Sequence, residues 1–345
     1  MSNLETDPDE LVCDGERRGA DGSTPFELLV PRDVPLGGPR AMSVRRTLPQ
    51  RRRSLIGAWC FLDHYGPQDI TGRAGMTVPR HPHTGLQTVS WLFTGEIEHR
   101  DSTGAHAMVR PGELNLMTAG SGISHSEFST PDTTVLHGAQ LWVALPDASR
   151  GTAPRFEHYR PEPVTGEGWT ARVFLGSLLG STSPVATHSP LLGAEILLDD
   201  GACLSVELDP GFEHGVLLDS GALRLDGEEV PADHLAYLAP GSGRIVLEGH
   251  GGRTRLLVIG GKPLGEQIVM WWNFVGRSHE EIVEYRRAWQ EEINAPLGTD
   301  PLAGTAREQV PAPDRPVPHF GPFPPGEPDA LPAPALPNAR MRPRR

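Results

Sequence analysis

Lysine is almost missing from this chain: of its 31 basic residues only Lys262 is not an arginine. A GC-rich coding bias accounts for that, and no mechanism is read into it. Cysteine is nearly as scarce. Cys13, Cys60 and Cys203 are far apart and odd in number, which excludes a disulfide framework and any Cys-x-x-Cys metal or redox motif. No run of about 18 apolar residues exists to form a membrane-spanning helix, and the acidic opening MSNLETDPDELVCDGERRGADG lacks the apolar core of a secretory signal. The expectation is a soluble, reduced, cytoplasmic protein. Positive charge is also short: 31 basic against 44 acidic residues leave −13, which opposes attraction to phosphate backbones and argues against direct nucleic-acid binding. The cluster Arg45, Arg46, Arg51, Arg52 and Arg53 is the local exception, a solvated loop or the natural surface for a protein partner. Hydrolase and dinucleotide signatures fail as well. Ser124 and His125 are adjacent, hence on opposite faces of a strand, no Gly-x-Ser-x-Gly is present, and Gly120-x-Gly122 lacks a third glycine.

What the chain does have is glycine and proline, 40 and 35 of 345 residues, which suits many short strands joined by turns and not long helices. Along Gln87–Phe93, Val89, Trp91 and Phe93 fall on one face and Thr88, Ser90 and Leu92 on the other; this is strand spacing, with Thr94-Gly95 as its turn. Two blocks of such strands flank a Pro/Gly/charged stretch. The expected organisation is a disordered leader over 1–24, a first β-barrel over 25–150, a linker over 151–168, a second barrel over 169–262, a helical extension over 263–294 and a Pro-rich tail over 295–345. In the extension, Ser278 and Glu281 read as a capping box, followed by an apolar stripe of Ile282, Tyr285, Trp289 and Ile293 that packs on a barrel. The tail holds 14 prolines in residues 296–345; Phe320, Phe323, Leu331 and Leu336 could anchor it to the body, or it could be free.

The histidines give the chemistry. Seven of the 14 (64, 81, 83, 99, 106, 125 and 137) lie within 74 residues. His81 and His83 are two apart and so project from one strand face, and His125 and Glu127 repeat that spacing. Two such pairs on neighbouring strands can converge four donors on one point. Three imidazoles and a carboxylate without thiolate suit a borderline divalent metal such as Fe, Mn, Co, Ni or Cu, not a sulfur-rich structural zinc site.

The runs HPHTGLQTVSWLFTGEIEHRDS, RPGELNLMTAGSGISHSE and HGAQLWVALP, with FLDHYGP upstream and WNFVGRSHEEI downstream, resemble the pirin family of the cupin superfamily over most of residues 28–294. The resemblance implies an all-β bicupin, two antiparallel β-barrels with a few short helices. It also implies iron, Fe(II), on His81, His83, His125 and Glu127, the four residues that spacing singles out. The general cupin pattern G-x5-H-x-H-x3-E begins at Gly75 but has Gln87 in place of the glutamate. Gln87 is therefore expected to support the site as a neutral hydrogen-bond partner, with His99 and His137 as further candidates for orienting ligands or substrate. The second barrel reads as metal-free, its His-x-His replaced by Phe212-Glu213-His214. Two roles follow from the family. One is a quercetin 2,3-dioxygenase-type oxidoreductase acting on a small aromatic, flavonol-like substrate with O2, with Glu127 as its catalytic base; the other is an iron-dependent, redox-responsive regulator of a protein partner.

Overall fold

The computed structural model describes residues 26–36, 42–72, 75–298, 319–323 and 326–343. The leader over 1–24 lies outside them, as do residues 299–318 of the tail. Among the described residues no helix is long and apolar enough to cross a membrane.

Among the described residues the architecture is all-β and its named strands pair antiparallel, with one α-helix, His279–Glu292. In the first module a seven-stranded sheet runs in the order Arg155–Tyr159, Leu114–Thr118, Leu86–Thr94, Val135–Ala144, Trp59–Asp69, Met42–Leu48, Arg32–Leu36. A four-stranded sheet, Thr77–His83, Ile123–Ser129, Ile97–Asp101, His106–Val109, lies against it. The second module is a single nine-stranded sheet folded around Val173, Ile196, Val216, Leu218, Leu256 and Val258. The hydrogen-bonded sheets do not close into complete barrels.

The alternation read in Gln87–Phe93 decides where the modules meet. Val89, Trp91 and Phe93 pack with Leu217, Leu235, Leu257 and Ile259 of the second module, whereas Leu92 faces the interior of the first with Val78 and Ile97. Burying three large side chains at about 25 cal/mol per Å2 gives this seam its main driving force. Polar groups fix its register. Trp59 Nε1 donates across the seam to Leu192 O at 3.2 Å and Gly260 O at 3.0 Å. Gly57, at φ +58°, approaches Gly261 so closely that a Cβ would meet its Cα at 2.7 Å.

Three stretches differ from expectation. Residues 151–168 are not a plain linker: Arg155–Tyr159 adds an edge strand to the first module and Val164–Gly166 one to the second. The helix cap is half a capping box. Ser278 Oγ accepts from Glu281 N at 3.2 Å, but the Glu281 carboxylate turns to Arg277 N and to both Nη of Arg150, at 2.7 and 2.8 Å. The arginine cluster is dispersed, because neighbours on a strand point opposite ways. Arg46 is buried on Asp63 through two bonds of 2.7 and 2.8 Å, Arg45 pairs with Asp233, and Arg53 lies over the Tyr237 ring; only Arg51 and Arg52 are exposed.

The described part of the tail is docked. Phe320 is fully buried, its ring 5.3 Å from that of Trp289. Trp289 Nε1 donates to Leu331 O, and Arg286 Nε donates to Pro334 O. This strap lies on the outer side of the four-stranded sheet, where Ser124 Oγ donates to Phe320 O, Arg80 Nη2 to Gly321 O and Ser126 Oγ to Glu327. Arg80, Ser124 and Ser126 alternate with His81, His125 and Glu127 on the same two strands.

Candidate metal centre

Strands Thr77–His83 and Ile123–Ser129 pair antiparallel with the Cα of His81 opposite that of His125. A bulge between His125 and Glu127 breaks the register there. Alternation sends His81, His83, His125 and Glu127 inward, and all four are buried. The rings converge: the His81 and His125 centroids are 4.2 Å apart, those of His83 and His125 5.0 Å, and those of His81 and His83 5.1 Å. The donor atoms of the three histidines lie within 4.8 Å of one another; His99, His125 and Glu127 form a second, overlapping group. His125 belongs to both.

Hydrogen bonds set the tautomers. His81 Nδ1 donates to Pro79 O at 2.8 Å and His83 Nδ1 to Asn273 O at 3.2 Å. Each bond leaves an Nε2 lone pair facing inward. His81 Nε2 is buried with no hydrogen-bond partner, and His83 Nε2 stands 3.1 Å from His125 Nε2. At that distance two bare lone pairs repel, whereas a cation between them or one N–H shared between the rings makes the contact favourable. The rings are held neutral, since burial pushes His81 down to about 4 and His83 and His125 well below the usual imidazole range, and a neutral ring keeps a lone pair for a metal. Adjacent donors around a metal with bonds of about 2.1 Å sit roughly 3 Å apart. The donor set fits a divalent metal.

His125 differs from its partners in what holds its Nδ1. It faces His99 Nδ1 at 3.4 Å, and His99 Nε2 donates to Asp101 Oδ2 at 3.1 Å. Asp101 is itself fixed, its Oδ1 accepting from Thr103 N and Thr103 Oγ1, while Phe156 stacks on the His99 ring at 4.7 Å. The structure thus places His99 behind His125, and adds Asp101, which the sequence reading passed over although His99-x-Asp101 repeats the telling spacing. Asn273 enters through its backbone carbonyl, which no sequence pattern marks. Around Glu127, Ser90 Oγ is 3.5 Å from Oε1 and 2.8 Å from Gln140 Oε1.

Gln87 and His137 are placed elsewhere. Gln87 shares a face with Val89 and Trp91, away from the histidines, and its Nε2 donates to Thr118 Oγ1 at 2.9 Å. The position that the cupin pattern reserves for a ligand therefore points into the seam. His137 stands with His64 and Asp219 across the seam, where both Nε2 atoms donate to Asp219 Oδ1. His64 Nδ1 faces Asp233 at 3.2 Å and Arg255 approaches Asp219 Oδ2 at 3.4 Å, so this group is an ion-pair network closed on itself. In the second module Glu213 turns to Gly57 N and Tyr237 OH, while His214 is buried.

A pair of cupin modules with one inward cluster of three histidines and a glutamate defines a metal-site bicupin. The chain belongs to the pirin family: the Pirin model matches residues 41–143 and the Pirin C-terminal cupin domain matches 193–295. A Pseudomonas aeruginosa protein provisionally named quercetin 2,3-dioxygenase is 45% identical over 290 residues, covering 84% of this chain and 91% of that protein. Human pirin is 32% identical over 247 residues, covering 69% of this chain and 83% of pirin. The crystal structure of quercetin 2,3-dioxygenase from Acinetobacter baumannii superposes with a TM-score of 0.80 at 36% identity, over 92% of this chain and 97% of that one. The fold is also that of the bacterial pirin YhhW of Escherichia coli in complex with nickel(II), with a TM-score of 0.55 at 19% identity, over 69% of this chain and 99% of that one.

Proposed function

We propose that this protein is a ring-cleaving dioxygenase of the quercetin 2,3-dioxygenase type, acting on a flavonol-like substrate with O2 and using Fe(II) held by His81, His83, His125 and Glu127. The observation that carries the reading is the buried, converging imidazole triad, in which His81 Nε2 is left without a hydrogen-bond partner. The relatives named for that activity support the choice of substrate class. When bound, the iron supplies Lewis acidity to the substrate's 3-hydroxyl and a redox partner for O2. The protein does the rest. Glu127 takes the 3-hydroxyl proton, with Ser90 Oγ 3.5 Å from its Oε1 while donating to Gln140. Trp142, stacked on Phe61 with centroids 4.0 Å apart and edge-on to His83 at 5.2 Å, walls the site against water. Asp101 and His99 hold the His125 ring in one orientation. A regulatory role resting on a basic surface at Arg45–Arg53 loses that surface, since three of its guanidiniums are engaged within the fold.

The test is metal analysis of anaerobically purified protein followed by O2 uptake with quercetin. One iron per chain with quercetin-dependent uptake is expected. Glu127→Gln, loaded with iron, should lower the rate by about 10²–10³. An iron-loaded wild-type protein that consumes no O2 with quercetin would remove the flavonol reading, and unchanged turnover in the Gln variant would remove the base.

A further inference from the structure

The strand Val135–Ala144 presents two faces. Ala139, Leu141 and Val143 pack into the seam between the modules. Gln140 and Trp142, at the alternate positions, point into the first module beside the histidines. Both are buried, at 1% and 0% exposure, and both carry a donor without a hydrogen-bond partner: Gln140 Nε2 and Trp142 Nε1. A buried donor left unsatisfied is costly, so two on one face of one strand call for an acceptor that the protein does not itself supply. Their placement is informative. Trp142 is edge-on to His83 at 5.2 Å, while Gln140 is joined to Glu127 through Ser90. One residue therefore serves each end of the metal-ligand set, their Cα atoms about 7 Å apart along the strand.

We propose that Gln140 and Trp142 are specificity-determining residues, a donor pair that recognises two acceptor oxygens of the substrate, such as a ring carbonyl and a deprotonated hydroxyl. The inference rests on the dioxygenase reading and narrows its substrate class. The pair selects a planar, oxygen-rich ring that offers acceptors on the strand side, and it rejects one that offers only donors, because donor against donor leaves both desolvated and unpaired. Trp142 Nε1 belongs to a ring already fixed by stacking on Phe61. Gln140 is held by the bond that its Oε1 accepts from Ser90 at 2.8 Å. Both donors are oriented before any ligand arrives.

Two measurements on iron-loaded, anaerobic protein test this. The first is quercetin affinity. Gln140→Met, close in shape but without the donor, should weaken binding about tenfold or more, and Gln140→Glu, which sets an acceptor against an acceptor, should weaken it further. Trp142→Phe keeps the stack on Phe61 and should weaken binding in the same sense, with iron content unchanged in all three. The second is the melting temperature without ligand. Gln140→Met should not lower it, because Ser90 can turn to Glu127 and an unsatisfied amide has been removed. Wild-type affinity for quercetin retained in Gln140→Met would overturn the proposal while leaving the dioxygenase reading in place. A melting temperature lowered by more than about 3 °C in that variant would also overturn it, by showing that the amide serves the fold. If the wild type binds no quercetin, the flavonol reading fails, and the donor pair is then decided by the melting comparison alone.

Discussion

His125→Ala is expected to abolish metal loading, with bound divalent metal per chain falling from about one to near zero after dialysis. His125 is the only residue common to both donor groups, so its loss takes a ligand from the His81–His83 pair and separates that pair from Glu127. The comparison that gives the result meaning is His99→Phe. That change keeps the aromatic contact with Phe156 but leaves His125 Nδ1 without its partner. Losing such an outer partner costs about 10–100-fold in metal affinity, and His125→Ala should exceed it. Competition with a chelator measures both. Equal affinity in His125→Ala and wild type would mean that the metal lies elsewhere.

The second large effect concerns the seam. Asp219→Asn removes the negative charge that His64, His137 and Arg255 share, and breaking a buried charged network from one side costs roughly 3–5 kcal/mol. Denaturant unfolding should show that loss. The pH profile gives a second handle. Burial alone would raise the Asp219 carboxyl, but the bonds from His137 and His64 hold it well below the usual range. Its contribution is therefore present above the ordinary carboxyl value of 3.8 and is lost as pH falls through the depressed one. For His64, burial alone would lower the imidazole, but Asp219 and Asp233 hold it raised. That contribution is full below 6.5 and is lost as pH climbs through the raised value. Wild-type stability from this network is greatest between those limits. Asp219→Asn should flatten both flanks, and a variant as stable and as pH-dependent as wild type would contradict the account.

Much of this site was written in local spacing. His81-x-His83 and His125-x-Glu127 each place two donors on one strand face, and a period of two survives any tertiary context that keeps the strand. The same rule sorted Val89, Trp91 and Phe93 from Leu92. What spacing cannot show is which face looks at which neighbour. Gln87 stands at the glutamate position of the cupin pattern yet falls on the seam side, and His137 meets an aspartate 82 residues away, on a strand of the other module. The arginine cluster misled for a related reason. Adjacency in sequence suggested one patch, while the pleat sent Arg46 inward to Asp63 and Arg45 across to Asp233. Proline count likewise describes what the tail cannot form, strands or helices, and says nothing of the carbonyls it offers to Trp289, Arg286 and Ser124.

That strap bears on how the protein is trimmed and how it diverges. The Pirin C-terminal domain match ends at residue 295, yet Phe320, Gly321 and Met341 supply hydrogen bonds to both strands that carry the ligands and to the helix. A gene cut at residue 295 would leave Ser124 and Trp289 without these acceptors and strip the outer wall from the two ligand strands. The same wiring gives evolution a remote adjustment: substitutions at Phe320 or Glu327 press on the backs of His125 and Glu127 while every ligand stays in place.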